Sequence, residues 1–159
     1  MHFSSTIPLQ VGLAGSSAIV VATIRALSSF YQIPLLSISK KELWPQHILD
    51  VEVQELGIAA GLQDRVVQFY EGLVYMDFNK EHLQEYGFGK YSSLSTSFLQ
   101  DIPNIYIACL RDKPSSSGTV HSNLRERFEN GEEIVLDAMR EFGNITDCGR
   151  NILESNSIR

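Results

Sequence analysis

The sequence predicts a domain of α+β or α/β class, in which helices and strands are mixed along one chain. Apolar segments with helical spacing alternate with short runs rich in β-branched and aromatic residues. The length of 159 residues fits one ordinary domain, and a composition of 43% hydrophobic and 20% charged residues is typical of a globular protein. No internal repeat or low-complexity tract interrupts this pattern.

The first third of the chain predicts a turn between an extended segment and a buried helix. Residues 7–11 form the extended segment, and residues 12–17 form a turn rich in Gly and Ser. The helix that follows is apolar on almost every side as far as Leu27, which implies burial. After a connector, Pro45 is well placed to begin a second helix that runs to about Leu56.

The remainder of the chain predicts two strands and three further helical segments. Residues 79–100 are polar and carry no clear pattern, so no structure is assigned to them. The predicted strands and helices, in chain order, are a helical turn or two at 62–70, a strand at 72–78, a strand at 105–110, and helices at 119–128 and 132–153.

Charge and composition exclude several classes of function. A net charge of −6 leaves no basic patch for nucleic acid. Cys109 and Cys148 stand far apart and predict neither a zinc site nor a disulfide. No apolar run approaches the ~20 residues of a membrane span, and the N-terminus does not resemble a secretory signal. We therefore expect a cytoplasmic protein with small-molecule partners.

A Gly/Ser loop ahead of the first helix is the strongest local motif. Small residues allow close approach of a ligand to the backbone, and a helix N-terminus offers unpaired N–H groups and a favourable dipole for phosphate. The alternative is a turn that merely caps a buried helix, since Ser is a favoured N-cap residue. The candidate phosphate-binding residues, which follow Pro8, are Gly12, Leu13, Ala14, Gly15, Ser16, Ser17 and Ala18.

A second candidate cluster combines Glu52 with Asp64 and Arg65, which follow the Gly57 and Gly61 turns. Two carboxylates in such positions suit a Mg²⁺ ligand and a base or orienting group. Taken alone, a glutamate such as Glu52 is more often a solvated helix residue, and Asp64 with Arg65 is more often an ordinary helix cap or surface pair. Spacing does not choose between these interpretations.

The combination of both clusters resembles the GHMP kinases. Pro8 to Ala18 is similar to their glycine-serine loop around the ATP phosphates, and Glu52 is placed like their Mg²⁺-binding glutamate. The stretches 55–66, 72–78 and 117–122 resemble the glucuronokinase family within that superfamily. The resemblance implies an α+β fold of the GHMP-kinase type (ribosomal protein S5 domain 2-like), with two α/β layers that share a central sheet.

The resemblance also implies a reaction, which is phosphoryl transfer from ATP to the anomeric hydroxyl of D-glucuronate. ATP and Mg²⁺ are the implied cofactors. Ser16 and Ser17 are expected at the phosphates, with Ser17 and Glu52 at the metal, although the loop is one residue longer than the commonest form. That extra residue leaves the assignment between Ser16 and Ser17 open.

The same resemblance assigns Asp64 as the catalytic residue that accepts or orients the proton of the attacking hydroxyl. Arg65 is a candidate for the sugar carboxylate, with a structural ion pair as the alternative. His121 lies in a loop that is placed near the substrate by resemblance.

Two expected motifs of the family have no counterpart between Met1 and Arg159. We therefore expect one partial GHMP kinase domain over residues 1–159, with weak activity or none and with apolar faces such as 19–27 partly uncovered. Such faces favour association. The alternatives are another GHMP sugar kinase acting on galactose or a heptose, and a non-catalytic regulatory fragment that binds a full-length kinase.

Overall fold

Two units make up the chain, residues 1–94 and residues 95–159. The structure is a computed structural model that describes residues 2–8, 12–94, 104–108 and 117–155, with the backbone alone at 117–122. Part of the predicted segment 7–11 therefore lies outside the described residues, as does Cys109. The prediction of a single domain over residues 1–159 stays a prediction.

Helices form most of the first unit, and a short hairpin completes it. Its elements are α1 (Gly15–Tyr31), α2 (Leu35–Ile38), a 3₁₀ turn (Lys41–Leu43), α3 (Trp44–Asp50), a π-helical turn (Val51–Glu55), α4 (Leu62–Tyr70), β1 (Val74–Asp77), α5 (Lys80–Tyr86) and β2 (Lys90–Ser93). Strands β1 and β2 pair antiparallel, with Val74 opposite Ser93 and Asp77 opposite Lys90. This mixture agrees with the predicted α+β class.

The core of the first unit lies where α1, α3 and α4 pack against one another. Ile48 of α3 and Val66 of α4 are completely buried, and Val21 of α1 is nearly so. Trp44 stacks on Phe69 with ring centroids 5.7 Å apart, which joins the start of α3 to the end of α4. Apolar packing therefore holds α4, which carries Asp64, against α3, which leads directly into the π-helical turn that carries Glu52.

The predicted second helix is confirmed, but its last turn is wider than an α-helix. Pro45 stands in the first turn, as expected. From Val51 to Glu55 the backbone is π-helical, and the N–H of Leu56 donates to the carbonyl of Val51 at 3.1 Å. Gly57, at φ +65°, then ends the helix in a conformation that suits glycine.

Helix α1 is confirmed, yet its predicted burial is incomplete. Only Ser17 and Val21 are buried in it, while Ile19 and Leu27 remain 38% and 42% exposed. The expectation that the face 19–27 is partly uncovered agrees with these values.

The predicted strand at 105–110 is wrong for the part that the structure describes. Residues 104–108 have no regular structure, and Ile105, Tyr106 and Ile107 are 73–85% exposed. A strand requires a hydrogen-bonded neighbour, and β1 and β2 pair only with each other among the described residues. Residues 109 and 110 lie outside the described ranges.

In the described part of the second unit there are two helices, α6 (Ser117–Glu129) and α7 (Glu133–Glu154), close to the predicted bounds. They contact each other, and Val135 is buried on α7. Within the described ranges, no helix is long and apolar enough to cross a membrane.

Candidate functional site

The Gly/Ser loop leads into an uncapped helix N-terminus. Gly12 and Ala14 have φ values of +75° and +54°, so the chain turns sharply before α1 begins at Gly15. Among the residues that the structure describes, no side chain caps this end by a hydrogen bond, and the first turn holds no acidic residue. The first-turn N–H groups of a 17-residue helix are thus available to an anion.

The two serines of this loop differ in their surroundings. Ser17 is completely buried, and its hydroxyl donates to the carbonyl of Ala14 at 2.9 Å. The N–H of Ala18 donates to the same carbonyl at 3.1 Å, so this carbonyl has two donors. Ser16 is partly exposed.

Glu52 lies on the π-helical turn and is completely buried. Its Oε2 accepts a hydrogen bond from Arg65 Nε at 2.5 Å. Its Oε1 is buried and has no hydrogen-bond partner among the described residues. A buried carboxylate oxygen without a partner is costly, because nothing replaces the water it has lost.

Asp64 and Arg65 stand in the first turn of α4 and point to different environments. The Asp64 side chain is 41% exposed, whereas that of Arg65 is only 4% exposed. Arg65 Nη1 donates to the carbonyl of Gly61 at 3.0 Å and lies 3.3 Å from Asp64 Oδ2. One guanidinium therefore joins the buried carboxylate of Glu52 to the accessible carboxylate of Asp64.

The structure brings Glu52, Asp64 and Arg65 into one cluster. Ser17 belongs to a helix that packs on α3 and α4, but no hydrogen bond links it to that cluster within the described part of the chain. His121 falls in α6 of the other unit, and its side chain lies outside the description.

The oxygen atoms of this region fit a magnesium ion bound together with phosphates. Mg²⁺ is usually held by one or two carboxylates, by water and by substrate phosphates, and a protein cage is not required. Glu52 Oε1 is an unpartnered buried oxygen, and Ser17 supplies a hydroxyl. Among the described residues no group of three or more His, Cys, Asp or Glu could hold a metal.

Two tyrosines outside this cluster have a raised pKa, namely Tyr70 at the end of α4 and Tyr91 on β2. Burial, the Glu42 carboxylate and Tyr91 raise the pKa of Tyr70 to about 12. Burial also raises the pKa of Tyr91, against a hydrogen bond from the Gly89 N–H. Lys41 Nζ lies 4.2 Å from the centroid of the Tyr70 ring, and the ring face attracts its positive charge.

Comparison with known proteins shows what this chain resembles. Residues 1–72, which contain the loop and the cluster, match the GHMP kinases N terminal domain. The chain is a relative of the GHMP kinases. No solved structure matches it.

The relatives of this chain include two proteins of Arabidopsis thaliana. It is 43% identical to Glucuronokinase 1 and 42% identical to Probable glucuronokinase 2, over 96% of its own length in both cases. It is also 32% identical over 78 residues to the D-glycero-alpha-D-manno-heptose 7-phosphate kinase of Campylobacter jejuni, which is 49% of this chain and 22% of that protein. The chain spans 40% of the length of each glucuronokinase. The predicted resemblance to GHMP kinases, and to glucuronokinases among them, is confirmed.

Sequence reasoning named the cluster residues but missed how they are joined. It left two alternatives for Arg65 and did not pair this residue with Glu52. The spacing of 13 positions across two helices and a glycine turn gives no periodic signal for that contact. The π-helical turn that carries Glu52 also has no recognised sequence pattern, although such turns are frequent at functional sites.

Proposed function

We propose that the chain takes part in phosphoryl transfer from ATP to the anomeric hydroxyl of D-glucuronate. The observation that carries the proposal is 43% identity to a glucuronokinase over 96% of the chain. The cluster of Glu52, Asp64 and Arg65 and the N-terminus of α1 support it, since this reaction requires positioned carboxylates and a phosphate cradle.

The phosphate part of the site is assigned to the loop from Gly12 to Ala18. In this assignment the ATP phosphates accept hydrogen bonds from the backbone N–H groups of the loop and from the hydroxyl of Ser16. Ser17 and Glu52 would hold a Mg²⁺ ion that accompanies the nucleotide. When bound, this ion neutralises the charge that develops on the transferred group.

The acceptor part of the site is assigned to Asp64, whose side chain is 41% exposed and thus accessible to a sugar hydroxyl. In the reaction the anomeric oxygen forms a bond to the γ-phosphorus as the bond from that phosphorus to the β-γ bridging oxygen breaks. ADP leaves with the electron pair of the broken bond, and the hydroxyl proton passes to the Asp64 carboxylate. His121 stays a predicted substrate contact.

A second substrate has a specific observation in its favour. The heptose 7-phosphate kinase match is 32% identical over 78 residues, so a phosphorylated heptose belongs among the acceptors to be tested. Galactose is included because the Gly61–Asp64 stretch resembles galactokinases.

The experiment is an acceptor panel, with ADP release measured in the presence of Mg-ATP and glucuronate, galactose or the heptose 7-phosphate. We expect release to be fastest with glucuronate and to fall about 10²- to 10⁴-fold in Asp64→Asn, the usual contribution of a positioned base. An Asp137→Asn variant serves as the control, because that carboxylate is 61% exposed on α7. Equal release by the wild type and Asp64→Asn would refute the role of Asp64, and a preference for another acceptor would refute the substrate.

A further inference from the structure

We propose that Arg65 is a positioning residue, whose guanidinium holds the Glu52 and Asp64 carboxylates in place and does not contact the sugar. The inference rests on the proposed function, because it gives Arg65 a task within that reaction. It also decides between the two alternatives that the sequence left open for this side chain.

The first support is that two different nitrogens of the rigid Arg65 guanidinium contact the two carboxylates. Arg65 Nε donates to Glu52 Oε2 at 2.5 Å, and Nη1 lies 3.3 Å from Asp64 Oδ2. The guanidinium is planar, so a fixed angle separates the two donors. Arg65 therefore sets the position of a carboxylate on the π-helical turn relative to a carboxylate on α4.

The second support is burial. Arg65 is 3% exposed, and its Nη1 also donates to the carbonyl of Gly61 at 3.0 Å. A sugar carboxylate that arrived from solvent would have to reach a guanidinium that is almost completely buried and already pairs with Glu52. The accessible member of the cluster is Asp64, so the sugar is expected to meet Asp64 instead.

The third support is that the two carboxylate oxygens of Glu52 have different surroundings. Arg65 compensates the buried charge through Oε2, while Oε1 keeps no partner among the described residues. Partners that orient a metal ligand in this way commonly change metal affinity or activity about 10- to 100-fold when they are removed. Arg65 thus keeps one oxygen of Glu52 presented to a cation.

The test uses Arg65→Lys, which keeps the positive charge and removes the planar fork. The matched control is Arg25→Lys, which alters a partly exposed ion pair with Glu71 in the same unit. Two readouts are compared, namely binding of Mn²⁺ with a non-hydrolysable ATP analogue by electron paramagnetic resonance, and kcat and KM for glucuronate. We expect Arg65→Lys to weaken Mn²⁺–nucleotide binding and to lower kcat, each about 10- to 100-fold. We expect KM for glucuronate to stay within about twofold, and the control to match the wild type.

A raised KM for glucuronate with unchanged Mn²⁺ binding would overturn the proposal in favour of a sugar contact. Unchanged values in both readouts would overturn it in favour of a purely structural ion pair. Wild-type chain that binds Mn²⁺ and nucleotide without forming product would count against the proposed function alone, and the binding readout would still judge Arg65.

A measurement on the wild-type chain covers the case in which Arg65→Lys does not fold. The Arg65 Nε–H signal of ¹⁵N-labelled protein is followed by nuclear magnetic resonance during titration with glucuronate. We expect a signal that exchanges slowly with water and does not shift, because Glu52 already accepts this hydrogen bond. A shift that saturates with glucuronate would show the sugar contact and overturn the proposal.

Discussion

Removal of Arg65 tests how strongly the buried ion pair is coupled to the fold. In Arg65→Met the carboxylate of Glu52 stays in a completely buried position and loses the hydrogen bond that Arg65 Nε donates, the one such bond it has within the described ranges. Breaking a buried pair by removing one partner costs about 3–5 kcal/mol, because the remaining charge is uncompensated. We expect a loss of that size in the free energy of unfolding of the first unit.

Two further variants separate this effect from ordinary loss of packing. Glu52→Leu combined with Arg65→Met removes both charges, and such replacements are often neutral or stabilising. We therefore expect the double variant to recover most of the loss. Arg25→Met removes a partly exposed pair with Glu71 and should cost only about 1 kcal/mol.

Urea unfolding followed by tryptophan fluorescence measures these energies directly. Trp44 is the single tryptophan of the chain, is 7% exposed, and stacks on Phe69 within the same unit. Its emission therefore reports the packing of α3 on α4. If Arg65→Met costs no more than Arg25→Met, or if the double variant is as unstable as the single one, the account of this pair is refuted.

Three further predictions concern the first unit. Ile48 is completely buried, so Ile48→Ala should lower the free energy of unfolding by about 2–5 kcal/mol in the same urea experiment. Ile38 is 61% exposed, so Ile38→Ala should lower it by less than about 0.5 kcal/mol. Ala14 has φ +54°, a left-handed conformation that glycine adopts easily, so Ala14→Gly should be tolerated or slightly stabilising. Ala14→Val should lower the free energy of unfolding by about 1–2 kcal/mol, because a left-handed backbone penalises branched side chains. Similar unfolding midpoints for both variants would contradict this expectation. The pKa of Tyr70 is raised from 10 to about 12, so the stability that this group contributes is fully present below pH 10 and is lost as the pH rises from 10 to 12. Urea midpoints between pH 9 and 12 should therefore fall less steeply in Tyr70→Phe than in the wild type, and equal slopes would refute the assignment.

The sequence predicted the long elements because each one has a strong local signal. Helix α1 follows a Gly/Ser turn, α3 begins near Pro45, and α7 has regularly spaced apolar positions over 22 residues. These features act through neighbours along the chain, so they are visible without the fold.

Elements with weaker signals were missed or misplaced. Helix α5 is capped by Asn79, whose Oδ1 accepts the N–H of His82 at 3.0 Å, and it ends at Gly87 with φ +77°. Those two residues were usable as start and stop signals in a stretch that was left unassigned. At 105–110 a strand was expected where the described residues form none. An apolar run favours a strand, but it does not by itself supply a neighbouring strand to pair with.

The sequence predicted which residues form the candidate site, but it did not predict the contacts between them. The resemblance to GHMP kinases identified Glu52, Asp64 and Arg65, but the contact between Glu52 and Arg65 depends on how α3 packs on α4. Packing of that kind arises from residues far apart in the chain, such as Trp44 and Phe69. The roles of these side chains in catalysis stay predictions.

Direct detection of the product tests the proposed function most directly. The chain is incubated with Mg-ATP and glucuronate, and the mixture is followed by ³¹P nuclear magnetic resonance beside Asp64→Asn and a sample without sugar. The account predicts a sugar 1-phosphate signal that grows with ADP, requires glucuronate, and is strongly reduced in the variant. ATP left intact by a folded wild-type chain, or hydrolysed to inorganic phosphate with no sugar 1-phosphate, would contradict it.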